Sequence, residues 1–165
     1  MADTFDYVIV GAGAAGCVLT NRLTEGDANS VCVLEAGGMD RHPFIHIPSG
    51  FTKTLYGDRF LWPFVTEPSE SLNGRTVAVP QGRVVGGSSS VNGMVYNRGQ
   101  AADFDTWAQM GNRGWGFEDL LPYFKRSETR IGDGDDRVRG RDGELPITDI
   151  DWINPLAEAF IDAAV

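Results

Sequence analysis

Two short stretches of the chain are apolar at nearly every position. One is Tyr7-Val8-Ile9-Val10, the end of a run that begins at Phe5; the other is Val31-Cys32-Val33-Leu34, which follows Ser30. Neither alternates with polar residues, a pattern that suits parallel strands buried on both faces. Between them the period changes. From Ala14 to about Thr24, Cys17, Val18, Leu19 and Leu23 give a helix a mostly apolar face, and Gly26 with Asp27 supplies a stop. Residues 5–37 therefore predict a β-α-β start. From Gly37 to about Asn73 regular periodicity fades. Pro43, Pro48, Pro63 and Pro68 interrupt this span, and Phe44, Phe51, Tyr56, Phe60, Trp62 and Phe64 enrich it in aromatics. Irregular segments of this kind are more often folded and functional than disordered.

Beyond it, Thr76 to Pro80 predicts a short strand. Residues 101–110 predict a helix with Phe104, Trp107, Ala108 and Met110 inward, broken by Gly111 and Gly114. A second helix, about Phe117 to Ser127, buries Leu120, Leu121 and Phe124, with Pro122 as a point of kinking or division. Residues 132–143 read as an exposed loop. Its acids do not form a calcium loop, because Arg137 stands where an acid or amide ligand is required. Residues 144–148 suit another short strand. Asn154 is a good N-cap and Pro155 a good first helical residue, so a last helix is predicted through Val165, with Leu156, Ala159, Phe160 and Ala163 on one side. It ends in Ala-Ala-Val without a stop signal, which predicts a helix cut short.

The turn between the first strand and helix carries the first chemistry. It reads Gly11-Ala-Gly-Ala-Ala-Gly16, and Glu35 at the end of the second strand lies 19 residues beyond Gly16. An acid about 20 residues past such a turn is placed to reach the ribose of a bound dinucleotide. Gly11 permits the sharp turn, Gly13 lets a pyrophosphate approach the backbone, and Gly16 lets helix and strand pack closely. The free amides of the first helical turn, about Ala14 to Cys17, then face the phosphates, where the helix dipole favours negative charge.

Composition narrows the rest. The chain has 165 residues, 42% hydrophobic and 22% charged, enough for one ordinary domain with a sizeable core. A net charge of −9 without a basic tract argues against nucleic acid and anionic membrane surfaces as partners. No apolar run approaches the roughly 18 residues of a membrane span. The N-terminus MADTFDYVIV lacks a basic region and cleavage site, so no signal peptide is expected and the location expected is cytoplasmic. Cys17 and Cys32 read as buried structural thiols in a reducing compartment. His42 and His46 have a metal-compatible spacing only on a helix, which Pro43 and Pro48 disfavour; they are expected to be loop or packing histidines, and no metal site is expected.

A second glycine-rich block runs from Gln81 to Gly99, QGRVVGGSSSVNGMVYNRG. Backbone amides and small hydroxyls packed this tightly suit a flat polar ligand. With DYVIVGAGAAGCVLTNRL, VCVLEAGG, DFDTWAQMGNRGWGFEDLLPYFKRSE and GELPITDIDWINPLAEAFIDAA, this block resembles the glucose–methanol–choline (GMC) flavin oxidoreductases, their choline-dehydrogenase-like branch in particular. The resemblance covers almost the whole chain and corresponds to the N-terminal portion of the family. It implies an α/β, Rossmann-like FAD-binding fold, incomplete and with irregular and helical insertions. Residues 1–99 would be the FAD-binding region, and 100–165 a helical segment leading toward a substrate domain absent here.

The resemblance also assigns roles. Gly11, Gly13, Ala14, Ala15 and Gly16 are expected at the FAD pyrophosphate, and Glu35 at the ribose with Ala36 alongside. Arg83, Val85, Gly86, Gly87 and Ser88 are expected to line the cofactor. Asn92, Gly93, Met94 and Val95 are expected close to the isoalloxazine ring. Trp62 matches an aromatic near the flavin, with core packing as its competing reading; Tyr96 reads as core. Some members attach FAD covalently through a histidine where this chain has Val91, so noncovalent FAD is expected. The family's catalytic histidine and its partner lie near the C-terminus of a longer chain, beyond Val165, and His42 and His46 do not replace them. The implied reaction is oxidation of a small-molecule alcohol to an aldehyde or ketone by hydride transfer to flavin, completed by the C-terminal remainder, with this chain alone expected to be inactive. The other readings are a noncatalytic flavin- or nucleotide-binding fragment, an NAD-dependent dehydrogenase and a hydroxynitrile lyase.

Overall fold

The computed structural model describes residues 4–164; sequence expectations at residues 1–3 and at Val165 lie outside them. The chain divides into two compact units, Met1–Val95 and Tyr96–Val165.

The first unit opens with β1 (Tyr7–Val10), α1 (Ala14–Thr24) and β2 (Val31–Leu34), as the apolar pattern predicts. The strands pair in parallel with Tyr7 opposite Val31 and Val10 opposite Leu34. The pair is entered through Asp6 and Ser30. Asp6 Oδ2 accepts bonds from the Ser30 amide and hydroxyl, both at 2.7 Å, and Ser30 Oγ accepts from the Asp6 amide at 3.1 Å. Since a one-residue slip in register reverses every side chain, this reciprocal lock sets which faces the strands present. Gly16 brings α1 down on the glycine turn: a Cβ there would lie 2.0 Å from the Gly11 carbonyl oxygen. The expected burial of both sheet faces is not observed. The sheet has two strands only, and Val8 and Val10 remain 59% and 83% exposed because no further layer covers them among the described residues.

The irregular span contains two single-turn helices, α2 (Pro43–His46) and α3 (Phe51–Thr54). The first corrects the expectation that Pro43 and Pro48 disfavour a helix here. Pro43 occupies the first helical position, where no amide partner is needed, and His42 caps the turn through its Nδ1, which accepts the Phe44 amide at 3.2 Å. Strand β3 (Leu61–Trp62) pairs antiparallel with β4 (Gln81–Gly82). The strand expected over 76–80 is reduced to a single bridge, Val65 opposite Ala78. The core of this unit is Leu61, Val84 and Val91, with Ile45 and Phe60 packed against it.

The second unit contains α4 (Ala101–Gln109), α5 (Phe117–Ser127), β5 (Glu128–Arg130), β6 (Leu145–Ile147) and α6 (Pro155–Ala164). Phe104 joins the helices by ring contacts to Trp107, Phe117 and Phe124. Met110, expected inward, is exposed, whereas Pro122 lies inside an uninterrupted helix. The β5 strand was not legible in the sequence; it pairs in parallel with β6, Glu128 opposite Leu145. Glu128 is wholly buried and its Oε2 meets Arg98 at 2.5 Å and Arg139 at 3.3 Å. Burial alone would raise its carboxyl; the Tyr96 hydroxyl and the two guanidiniums outweigh it and hold the group below the ordinary range. Asn154 caps α6 as predicted, its Oδ1 accepting the Leu156 amide at 2.9 Å.

The Ser30 bonds hold the Asp6 carboxyl below its ordinary value. A depressed carboxyl contributes stability above its unfolded-state pKa and loses it as pH falls through the folded value. Asp6→Ala should therefore melt below wild type at neutral pH, and the gap should close under acid conditions below about pH 4. Thermal melts of both proteins across that range check this.

Candidate functional site

The first glycine turn meets the second glycine-rich block at the backbone of Ala12. Its amide donates to Glu35 Oε2 at 2.8 Å, and its carbonyl accepts the Gly86 amide at 2.7 Å. The other Glu35 oxygen, Oε1, accepts the Gly37 amide at 2.7 Å. One carboxylate thus ties the end of β2 to the turn after β1. The chain beyond Glu35 continues the join: Gly38 bridges in parallel to Val84, and the Val85 amide donates to the Gly38 carbonyl at 3.0 Å. Gly87 is pressed against Gly13, since a Cβ at Gly87 would come 2.8 Å from the Gly13 Cα.

These contacts bring the predicted residues Gly11, Gly13, Glu35, Val85, Gly86 and Gly87 into one region. Ala14 and Ala15 begin α1, and Ala36 is exposed beside Glu35. Gly13 precedes α1 without a side-chain cap, and the Cys17 amide already donates to the Gly13 carbonyl at 2.9 Å. The amides of the first turn that lack an intrahelical acceptor are therefore those of Ala14, Ala15 and Gly16, one residue fewer than expected. Cys17 is exposed, which corrects its reading as a buried thiol; its Sγ donates to the Ala12 carbonyl at 3.3 Å. Alongside lies a cleft of about 780 Å³ lined by Cys17, Thr20, Glu35, Gly37, Met39 and Val85, among others.

The serines of the second block do not point outward as ligand donors. Ser88 Oγ accepts the Gly82 amide at 2.9 Å and donates to Gln81 Oε1 at 3.2 Å. Ser89 donates to the Gly86 carbonyl at 2.5 Å and Ser90 to the Val85 carbonyl at 2.8 Å. They are struts of the loop. Trp62 and Arg83 are neighbours: the guanidinium lies 5.1 Å from the Trp62 ring centroid and donates to the Asp58 carbonyl at 2.9 Å, while Phe64 stacks on Trp62 at 6.1 Å. Asn92, Gly93, Met94 and Val95 form an exposed turn after buried Val91.

Two participants escaped the sequence reading: Ala12, whose backbone N–H and C=O join both motifs, and the Gly37-Gly38 pair. For the latter a signal existed, because two glycines directly after Glu35 permit close approach. A Cβ at Gly37 would lie 2.2 Å from the Arg83 carbonyl group. The histidines are not drawn into a metal site; among the described residues no cluster suits a metal ion. No helix of the described residues is long and apolar enough to cross a membrane.

The arrangement fits a dinucleotide. Open helix-turn amides and a glycine cradle suit a pyrophosphate, and each Glu35 oxygen holds one amide while retaining acceptor capacity for a hydroxyl. Glu35→Ala would leave the Ala12 and Gly37 amides without their acceptor and is expected to cost roughly 1–3 kcal/mol, with Glu35→Gln milder because one acceptor remains. Chemical denaturation of the three proteins measures it.

Comparison with known proteins gives the same direction. The family model described as GMC oxidoreductase matches residues 5–165. The oxygen-dependent choline dehydrogenase of Vibrio vulnificus (strain YJ016) is 48% identical over 165 residues, which cover 99% of this chain and 29% of that protein. Pyridoxine 4-oxidase from Mesorbium loti is similar in structure with a TM-score of 0.84 and 39% identity, over 97% of this chain and 31% of that one. An FAD-dependent oxidoreductase from Chaetomium thermophilum has a TM-score of 0.84 and 37% identity, over 98% of this chain and 29% of that one. The chain thus spans about 29% of the length of the curated relatives it matches.

Proposed function

The chain belongs to the GMC oxidoreductase family, whose cofactor is FAD, and from that premise we propose that it forms the FAD-binding N-terminal part of an enzyme that oxidises an alcohol to an aldehyde or ketone. The observation that carries this reading is the junction at Ala12, where Glu35 and Gly86 hold the two glycine-rich motifs together. Motifs joined in this way support a single Rossmann-like cofactor site rather than two unrelated loops.

In this proposal Gly11, Gly13, Ala14, Ala15 and Gly16 hold the pyrophosphate. Glu35, with Ala36 beside it, takes the ribose hydroxyls through its remaining lone pairs. Arg83, Val85, Gly86, Gly87 and Ser88 line the cofactor, and Trp62 and Asn92 to Val95 border its flavin end. The chemistry supplied by bound FAD is hydride acceptance from the alcohol carbon. The part of this chain is to bind, orient and shape. Val91 packs with Leu61 and Val84 and offers no nucleophile, which supports a noncovalent cofactor.

The acid–base half of the reaction belongs to the longer enzyme. His42 is engaged as a cap and touches Phe44 and Phe60 edge-on, and His46 Nε2 lies 2.5 Å from the Asp40 carbonyl oxygen. Both are accounted for by local structure. The partners are a small-molecule alcohol and the C-terminal remainder; the acidic charge disfavours nucleic acid. The free thiols Cys17 and Cys32 suit a reducing, cytoplasmic setting.

Titration of the chain with FAD, followed by flavin fluorescence and visible absorbance, should saturate, and NADH should not compete. The chain alone should reduce no dye with alcohols, whereas the chain joined to its C-terminal remainder should. Binding of NADH in place of FAD would overturn the proposal.

A further inference from the structure

Among the described residues, the non-glycine positions with positive φ are Asp27 (+55°), Asn73 (+54°) and Met94 (+59°). Asp and Asn tolerate this region through their short polar side chains, and both stand at turns where a helical segment ends. Met94 has neither excuse. Its side chain is long and apolar, and a residue held in the left-handed region against its preference requires something that holds it.

Asn92 fixes the peptide plane from which that conformation starts. Its Oδ1 accepts the Met94 amide at 2.8 Å and closes the turn over Gly93. The turn starts from a fixed point, because Val91 is buried in the core. Gly93 rests on Phe51, where a Cβ would find the ring at an ordinary 3.7 Å, so crowding at that glycine does not force the shape. Beyond the turn Met94 and Val95 are exposed. Asn92 and Met94 also form one wall of a hollow of about 210 Å³ shared with Ser89, Ser90, Phe51 and His46. The strained turn therefore faces concave space rather than packed protein.

We propose that Asn92 is a positioning residue: its bond to the Met94 amide closes the turn over residues 92–94 that delivers the chain into the left-handed Met94, and that turn shapes the wall against which the flavin end of FAD rests. This deepens the FAD-binding reading and depends on it. Asn92 acts here through the backbone, not by touching the cofactor.

The test compares FAD dissociation constants, from flavin fluorescence, of the full chain carrying Asn92→Ala, Asn92→Asp, Met94→Gly and the double change Asn92→Ala with Met94→Gly. Loss of one hydrogen bond predicts roughly three- to tenfold weaker binding for Asn92→Ala. Asn92→Asp keeps the acceptor oxygen and should recover most of it. Glycine adopts positive φ unaided, so in the Met94→Gly background Asn92→Ala should cost clearly less. Amide hydrogen exchange at Met94, read without FAD, should speed up in Asn92→Ala. Equal losses in both backgrounds, or unchanged exchange at Met94, would overturn the proposal. Failure of wild type to bind FAD would instead overturn the reading on which it rests.

Discussion

The first unit depends on two long-range hydrogen bonds made by the backbone of Ala12. Its amide is held by Glu35 and its carbonyl by Gly86. Each bond spans a large sequence separation, so each carries a loop-closure cost that local turns do not. They are placed where that cost does the most organising. Glu35 lies at the end of β2, Ala12 follows β1 and Gly86 lies in the second glycine block, so the Ala12 backbone fixes three segments against each other. It also explains the glycines. The backbone approaches of Gly87 to Gly13 and of Gly37 to Arg83 are possible only because Gly87 and Gly37 carry no Cβ. The glycine spacing and the acidic residue are therefore parts of one device.

That device is compact while the surfaces around it are open. The parallel pair β1 and β2 has the composition of a doubly covered sheet but exposes Val8, Val10 and Leu34. Helix α6 is exposed along its length, including Leu156, Phe160 and Ile161. Apolar area of this extent favours burial against further protein. The local geometry at Ala12 does not rely on such cover, because its bonds are made by backbone groups and one carboxylate within the unit.

The sequence was most readable where one period persists for several residues. The strands β1 and β2 and the helices α1, α4, α5 and α6 follow from runs of apolar residues and from caps such as Asn154. It was least readable where single residues decide. Pro43 starts a helical turn that the prolines disfavour on paper, since its missing amide has no role at that position. Residues 128–130 carry no strand signature: Glu128 and Arg130 are charged, and they pair as β5 because the guanidiniums of Arg98 and Arg139 compensate the buried carboxylate. Burial failed as an expectation at Cys17, where a helical face apolar in sequence leaves Cys17, Val18 and Leu19 exposed. At the site, glycine and acid spacing located the residues, but the Ala12 junction lies between backbone atoms, on which side-chain patterns are silent.

The second glycine block shows why such a loop is rich in serine. A segment without regular structure must still satisfy its backbone polar groups. Here Ser88, Ser89 and Ser90 do so within the loop, through Gly82, Gly86 and Val85. Their hydroxyls are consumed in holding shape. What remains for a ligand is the backbone itself, at glycines close enough to reach, and the turn that Asn92 closes. A loop built this way recognises a cofactor by the form of its main chain. Substitutions that preserve the serine struts and the glycine approaches should then matter less than their position beside the cofactor suggests, whereas a single added methyl group at Gly87 would meet Gly13 and separate the two motifs.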